Sequence, residues 1–222
     1  MIEYTLHIRL LSDATFGRGD GVAGLVDTEV QHDGVGLPYL GGRTLKGLLA
    51  AECEDLVYAL ENTGHEGADR WRIAAEQLFG QSGAALTGES MMRVGPARLP
   101  RDLHDVLAQD IANRRISRAE VLETLTTLRR QTAMDESGAP RKETLRTLRV
   151  ILRETTFHAR LAFTSPPSDE VLALLAATVK ALRRASTGRN RGRGRIQAAL
   201  YDAQGEPVTG TLFEHFRKAV IV

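Results

Sequence analysis

The stretch Ile2-Glu3-Tyr4-Thr5-Leu6-His7-Ile8-Arg9-Leu10 opens the chain with apolar and polar residues in strict alternation. This period of two predicts a β-strand with one buried face and one face open to solvent. The same reading of apolar periodicity predicts strands over Met91 to Leu99, Thr156 to Phe163 and Ile196 to Tyr201, and helices over Arg43 to Glu61, Asp69 to Phe79, Arg101 to Asn113, Ser117 to Arg129 and Ser168 to Arg184.

The order of these elements predicts the fold class. Setting aside an insertion from Arg101 to about Thr155 leaves strand, helix, strand, strand, helix, strand, which is the order of a ferredoxin-like, RRM-like βαββαβ core. We therefore predict a single α+β domain over residues 1–222, with a helical insertion and a projecting hairpin. Fold alone does not establish function.

Composition indicates a globular protein with a polyanionic partner. The 222 residues are 42% hydrophobic and 26% charged, with a formal net charge of only +1. Of the 29 basic residues 25 are arginine, and they cluster at Arg114 to Arg130, Arg141 to Arg153 and Arg183 to Arg195. Local clusters of this kind favour a polyanion such as RNA.

Other compositional features exclude several classes of protein. Cys53 is the only cysteine, so the chain has neither a disulfide framework nor a cysteine cluster for zinc. No apolar run reaches the length of a membrane span, and the first residues alternate instead of forming a signal peptide. A cytoplasmic protein without a membrane partner is the expectation.

The stretch Gly188 to Arg195, GRNRGRGR, predicts a clamp for RNA phosphates. Its glycines permit positive φ and close approach of the backbone to a ligand, while each arginine offers a planar fork of donors for phosphate oxygens. A solvated basic turn is the alternative. A dinucleotide site is disfavoured because the run follows a helix, whereas that fingerprint follows a strand.

Four stretches in order resemble one family. They are the turn Leu37 to Gly47, LPYLGGRTLKG; the helix end Leu78-Phe79-Gly80; the hairpin Thr132 to Gly138, TAMDESG; and the glycine run itself. Together they resemble the RAMP superfamily of CRISPR effector subunits, and most of all the repeated backbone subunit of type III complexes. The resemblance spans Met1 to about Tyr201 and implies a guide RNA, a target RNA, further copies of the chain and other subunits as partners.

The resemblance also implies roles for individual residues. Asp27 matches the loop aspartate that cleaves target RNA, where a divalent metal, with Mg²⁺ as the default, would offset phosphate charge. Without the resemblance, the sequence predicts that Asp27 is a turn-forming or capping residue. The positions matching guide contacts are Arg43, Thr44, Lys46, Gly188, Arg189, Arg191, Gly192, Arg193 and Gly194, and Arg129 to Ile151 with Met134 and Asp135 matches the thumb hairpin.

The chain departs from the family pattern at three positions. Gly41 replaces a proline of the turn, and Ala50 and Phe16 stand where the family often has an arginine and a histidine. The last two changes remove guide contacts for which Arg18 and Arg43 are the candidate replacements.

The prediction is thus a guide-RNA-binding backbone subunit that cleaves target RNA by attack of the RNA's own 2′-hydroxyl. One alternative is a binding subunit without chemistry, and another is a metal-independent enzyme that processes the guide precursor with histidines. His7 and His158 are predicted to be strand-face residues, and His32 a loop residue. A general RRM-like domain is disfavoured because the strands lack stacking aromatic residues.

Overall fold

Four antiparallel strands form the main sheet of the computed structural model, which describes residues 2–22, 24–80, 89–132, 138, 144–188 and 192–221. The strand order across the sheet is β2-β5-β1-β6. These strands are β1 (Ile2–Leu10), β2 (Met92–Val94), β5 (Thr156–Phe163) and β6 (Ile196–Tyr201).

The register of the sheet separates an apolar face from an open face. Leu6 pairs with Ala159 on one side and with Leu200 on the other, and all three side chains are buried. His7, one residue along, pairs with His158 and Ala199 on the opposite face. The alternation of apolar and polar residues therefore corresponds to a sheet with one covered face and one open face, as predicted.

Four helices cover the apolar face. They are α1 (Gly42–Asn62), α2 (Ala68–Phe79), α5 (Asp169–Ala181) and α6 (Thr209–Val220). The Ser168 side chain caps α5 by accepting a hydrogen bond from the Val171 N–H, and Asp169 and Glu170 favour its N-terminal dipole. The tail helix α6 packs on α5, and its Phe216 ring lies 4.8 Å from the buried ring of Trp71.

The insertion contains α3 (Arg101–Ala112), α4 (Arg118–Leu125), β3 (Thr126–Gln131) and β4 (Arg146–Ile151). A capping box between Ser117 and Glu120 begins α4. The predicted helix to Arg129 was wrong in its last turn, because residues from Thr126 onward pair with β4 to form a hairpin. Pairing with a distant strand outweighed local helix propensity there.

Two other predicted boundaries also differ from the structure. The strand predicted over Met91 to Leu99 pairs regularly only from Met92 to Val94, and beyond Gly95 only isolated bridges at Ala97 and Arg98 follow. The helix predicted to end at Arg184 ends at Ala181, because Leu182 turns to an extended backbone and Arg184 forms a bridge with Arg195.

The α+β class is confirmed. Around the insertion, the elements follow the order β1, α1, β2, β5, α5, β6, with α2 added after α1. This order supports a ferredoxin-like assignment, which stays a prediction, as does the division of the chain into one domain. In the part of the chain that the structure describes, no helix is both long and apolar enough to cross a membrane.

Candidate nucleic-acid interface

A narrow ladder of two irregular segments, 13–18 and 27–31, organises the candidate site. Gly17 forms an isolated bridge with Val30, and the Gln31 N–H donates to the Phe16 carbonyl at 2.7 Å. The buried Phe16 ring packs edge-on against Phe157 of the sheet, at 5.4 Å between centroids. The glycine-rich segment from Phe16 to Gly42, which has no regular apolar period in the sequence, is thus fixed to the core.

The glycine loop that ends at Arg195 lies along the first of these segments. The Thr187 N–H donates to the Thr15 carbonyl, and the Gly194 N–H donates to the Asp13 carbonyl, both at 2.9 Å. Gly188, Gly192 and Gly194 all have positive φ, as the sequence predicted. A side chain at Gly194 would overlap the Cβ of Ser186, so this position requires glycine for space as well.

The N-terminus of α1 adjoins the second segment. Tyr39 donates its N–H to the Gln31 carbonyl at 3.0 Å, and Gly41 lies against the Gln31 side chain. Gly41 is the N-cap, no side chain caps the helix, and the first turn has no acidic residue. Arg43 and Thr44 are exposed there. Uncapped amides beside an exposed arginine are a suitable arrangement for a phosphate.

Lys46 is placed differently from Arg43. Its ammonium group donates a 2.7 Å hydrogen bond to the Ser90 hydroxyl, and partial burial lowers the pKa of the lysine. The Ser90 hydroxyl lies 2.7 Å from the carbonyl oxygens of both Leu78 and Met92, which share its one proton. Lys46 therefore already connects α1 to the end of α2, and a guide contact by this residue stays a prediction.

Asp27 is exposed at the outer end of the ladder. Its Oδ2 accepts a 2.6 Å hydrogen bond from the Thr147 N–H, and its own N–H donates to the Thr147 carbonyl at 2.7 Å. A cavity of about 470 Å³ opens beside it, lined by Gly21, Val22, Gly24, Leu25, Val26 and Thr147. The loop and the hairpin strand β4 together fix the direction of this carboxylate.

The residues around Asp27 fit a metal ion only partly. Within the described ranges, Asp27 is the one carboxylate lining the cavity, and no group of three His, Cys, Asp or Glu side chains could hold a metal. A cation there would be held by Asp27 together with phosphate oxygens and water, and the chemistry that it would supply is neutralisation of phosphate charge.

A buried ion pair joins the ladder to the hairpin. The Arg149 Nε lies 3.0 Å from Glu29 Oε1, with side chains that are 8% and 3% exposed, and Arg149 also donates to the Thr126 hydroxyl at 3.2 Å. The Thr15 hydroxyl donates to the Arg149 carbonyl at 2.9 Å. Sequence reasoning missed this pair, because two charges separated by 120 residues have no periodic signal.

The family model of the RAMP superfamily matches residues 7–197, which span the ladder, the helix opening, the hairpin and the glycine loop. The chain belongs to the RAMP superfamily. No curated protein gives a significant match to it.

Solved structures similar to this RAMP protein come from the type III-B Cmr-β complex. A chain of the complex bound to cognate target RNA superposes with a TM-score of 0.64 and 12% identity, covering 96% of this chain and 99% of that chain. A chain of the apo complex gives a TM-score of 0.59 and 13% identity, covering 89% and 96%. At these identities the likeness shows the fold.

The remaining predicted residues of the RAMP protein fall into two groups. Arg18 is exposed and forms a 2.6 Å ion pair with Asp20, and Arg193 is half-buried with its guanidinium group against Gly188. Arg189, Arg191, Met134 and Asp135 lie outside the described residues. The two described arms of the thumb hairpin are β3 and β4.

The open face of the sheet carries a column of rings that the sequence did not predict. His7 stacks on His158 at 4.1 Å and on Tyr201 at 3.9 Å, with interplanar angles of 26° and 22°. Because β5 and β6 flank β1, the two partners lie on opposite sides of His7. The strand-face positions of His7 and His158 were predicted, whereas the expectation of a face without stacking rings was wrong. Only the strand register reveals the column.

Proposed function

We propose that this RAMP protein is a guide-RNA-binding backbone subunit of a type III CRISPR ribonucleoprotein, with target RNA, further copies and other subunits as partners. One observation carries the proposal. The ladder of segments 13–18 and 27–31 connects the glycine loop, the N-terminus of α1, the thumb hairpin and Asp27, which are far apart in sequence. Elements that the family resemblance assigns to one RNA are thus held on one rigid support.

The guide would be bound mainly through its phosphates. The N-terminus of α1 offers amide donors and a favourable dipole, with Arg43 and Thr44 at its rim. The glycine loop offers backbone amides that a ligand can approach closely, with Arg189, Arg191 and Arg193 as charged donors. Contacts of this kind do not read base sequence, as a subunit that must accept any guide requires.

Target cleavage would proceed through the RNA itself. The 2′-oxygen loses its proton and attacks the adjacent phosphorus, the bond from phosphorus to the 5′-oxygen breaks, and the 5′-oxygen takes up a proton. The protein's part is to hold the target nucleotide in line and to place the Asp27 carboxylate beside it. The paired hydrogen bonds with Thr147 orient that carboxylate before the target arrives. When bound, Mg²⁺ would neutralise charge on the phosphate.

A second candidate is a subunit that binds RNA and performs no chemistry. Two observations at Asp27 favour it: Oδ2 already accepts the Thr147 N–H, and no other carboxylate lines the cavity among the described residues. In that case Asp27 would serve to attach the loop to the hairpin.

Asp27→Asn separates the two candidates, because an asparagine oxygen can still accept the Thr147 N–H while the negative charge is lost. In a complex assembled on a guide RNA, we expect target cleavage to fall by at least about a hundredfold, the scale for losing one electrostatic contact to a transition state. Guide and target affinity should stay unchanged. The matched control is Asp20→Asn in the same loop. Undiminished cleavage by Asp27→Asn would assign Asp27 a structural role.

A further inference from the structure

A basic cleft lies between α5, α6 and the edge strand β6. It has a volume of about 870 Å³, and its floor includes Leu56, Phe213 and Phe216. Its rim carries Lys180, Arg183, Arg184 and Arg195, and no acidic residue lines it in the described part of the chain. The cleft therefore suits an occupant that is apolar on one side and acidic at its margins.

The backbone of β6 also faces the cleft. Ile196 donates its N–H away from β1 to the Arg183 carbonyl, and Leu200 donates its N–H to the Thr209 hydroxyl. By the alternation of an antiparallel ladder, Ala198 also directs its N–H and carbonyl outward. Among the described residues, nothing bonds to these Ala198 groups, whereas the outward N–H groups of Ile196 and Leu200 on either side already have partners. The cleft therefore offers a free backbone donor and acceptor at Ala198.

RNA is not the best match for this cleft. The Lys180 ammonium group lies over the Phe213 ring at 4.8 Å, and the Phe213 and Phe216 rings are themselves stacked at 6.2 Å. These contacts leave little ring surface for the base stacking on which single-stranded RNA binding depends. The apolar floor, whose rings already contact Lys180 and each other, instead favours aliphatic side chains.

Helix α3 has the complementary properties. It carries three aspartates, Asp102, Asp105 and Asp110, against one arginine, and no residue of the helix is buried. Leu103, Val106, Leu107 and Ile111 follow helical spacing and form one apolar stripe, in which Leu103 is 37% and Val106 58% exposed. An acidic helix with an uncovered apolar stripe needs a partner surface that is apolar and basic.

The two surfaces lie at opposite edges of the sheet. The cleft borders β6, whereas α3 begins shortly after Arg98, which forms a bridge with His158 beyond the end of β2. A chain therefore cannot place α3 in its own cleft, and the same contact can repeat from copy to copy. Heterologous contacts of this kind generate open filaments.

We propose that α3 of one copy docks in the basic cleft of the next copy. The inference rests on the proposed function for its premise that copies line up on one guide RNA. At 12 residues, α3 is about 18 Å long, enough for two apolar anchors one helical turn apart. Its aspartates would then lie near Lys180 and Arg183.

Cross-linking between engineered cysteines tests the contact directly. Val106→Cys protein is mixed with Leu11→Cys protein, since Leu11 lines the cleft and is exposed, and a short bifunctional thiol reagent is added with and without a synthetic guide RNA. The native Cys53 does not interfere, because it is buried and burial raises its pKa to about 11. We expect a covalent dimer from the mixture and none from either variant alone. The matched control replaces Val106→Cys with Tyr58→Cys, at an exposed position of α1, and should give no dimer.

A charge exchange supplies the second measurement. Asp105→Lys or Arg183→Glu, each combined with the cysteine variants, should lower the yield of dimer on the order of tenfold through like-charge repulsion, and pairing the two changes across the contact should restore it. Glu123→Lys, exposed on α4, is the control. Guide affinity, measured separately for every variant, reports the proposed function and should not change.

Two outcomes would overturn the docking proposal. The first is normal guide binding with no dimer between Val106→Cys and Leu11→Cys. The second is that Arg183→Glu weakens guide binding and leaves the dimer unchanged, which would assign the cleft to RNA. If the unsubstituted protein does not bind guide RNA while the Val106→Cys and Leu11→Cys proteins still form the dimer, the proposed function alone is contradicted.

Discussion

Glu29 and Arg149 form an ion pair at 3.0 Å inside the protein, where the loop that carries Asp27 meets the thumb hairpin. The Glu29 Oε1 also accepts the Val30 N–H at 2.8 Å, and Arg149 donates to Thr126. The pair therefore joins three chain segments at the base of the candidate site.

Breaking this pair from one side should strongly destabilise the fold. Arg149→Met leaves a buried carboxylate without its cation, so we expect a loss of about 3–5 kcal/mol in the free energy of unfolding, measured by urea denaturation. The control is Arg217→Gln, which removes the exposed pair with Glu214 and should cost less than about 1 kcal/mol. A loss for Arg149→Met as small as that for the control would show that water reaches the pair.

Gly194 and Gly192 form a matched test of the glycine loop. Both have positive φ, but a Cβ at Gly194 would overlap Ser186, whereas a Cβ at Gly192 meets no atom within 4 Å. Gly192→Ala should cost only the backbone strain of about 1–2 kcal/mol, and Gly194→Ala distinctly more. Guide affinity should fall more for Gly194→Ala, because the loop must shift. Equal effects of both substitutions on unfolding and on guide binding would contradict this.

Arg43 should contribute to guide binding as a phosphate contact. Arg43→Gln is expected to weaken binding equally for guides of different sequence, and to reduce the log-log slope of affinity against salt by about 0.7, the value for one contact to a single strand. Lys46→Gln is the comparison, because its ammonium group is bonded to Ser90, and we expect a smaller change in slope. A larger change for Lys46 than for Arg43 would show that the lysine leaves Ser90 when RNA binds.

The ring column should make the protein sensitive to acid. Burial lowers the pKa of His7, with a smaller effect from His158, and burial lowers the pKa of His158 as well. The unfolded chain then binds more protons than the folded protein below the ordinary histidine pKa of about 6.5, so stability rises with pH through this window and falls on acidification.

The measurement is the urea midpoint between about pH 5 and pH 8, around the ordinary histidine pKa. His7→Gln should flatten the change of the midpoint with pH, and His215→Gln, at an exposed position of α6, serves as the control. If the urea midpoint of the His7→Gln protein depends on pH as steeply as that of the unsubstituted protein, the acid sensitivity belongs to other groups.

Local patterns predicted the parts of the fold that depend on neighbouring residues. Alternation predicted β1 and β5, and helical spacing predicted α1 and α5, because each burial pattern repeats within its own segment. The end of α4 at Leu125 was missed, because the pairing that converts the next residues to strand lies across the hairpin.

The candidate site could be predicted only as separate pieces. No sequence pattern indicates that Lys46 bonds to Ser90, 44 residues away, or that Asp27 bonds to Thr147, 120 residues away. Side-chain partners of this kind depend on tertiary packing. The ring column likewise depends on how β1 registers with both neighbouring strands.

The hydrogen bonds between Thr15 and the residues before the glycine loop bear on how the protein is made. The Thr15 N–H donates to the Ser186 hydroxyl at 2.9 Å, across 171 residues of chain. Contacts this distant in sequence form late, because the ribosome must first release the C-terminal part of the chain. A nascent chain that ends before Thr187 has no glycine loop beside its N-terminal segment. Newly made protein therefore completes this surface, for which we propose guide binding, only after residues 186–195 have left the ribosome.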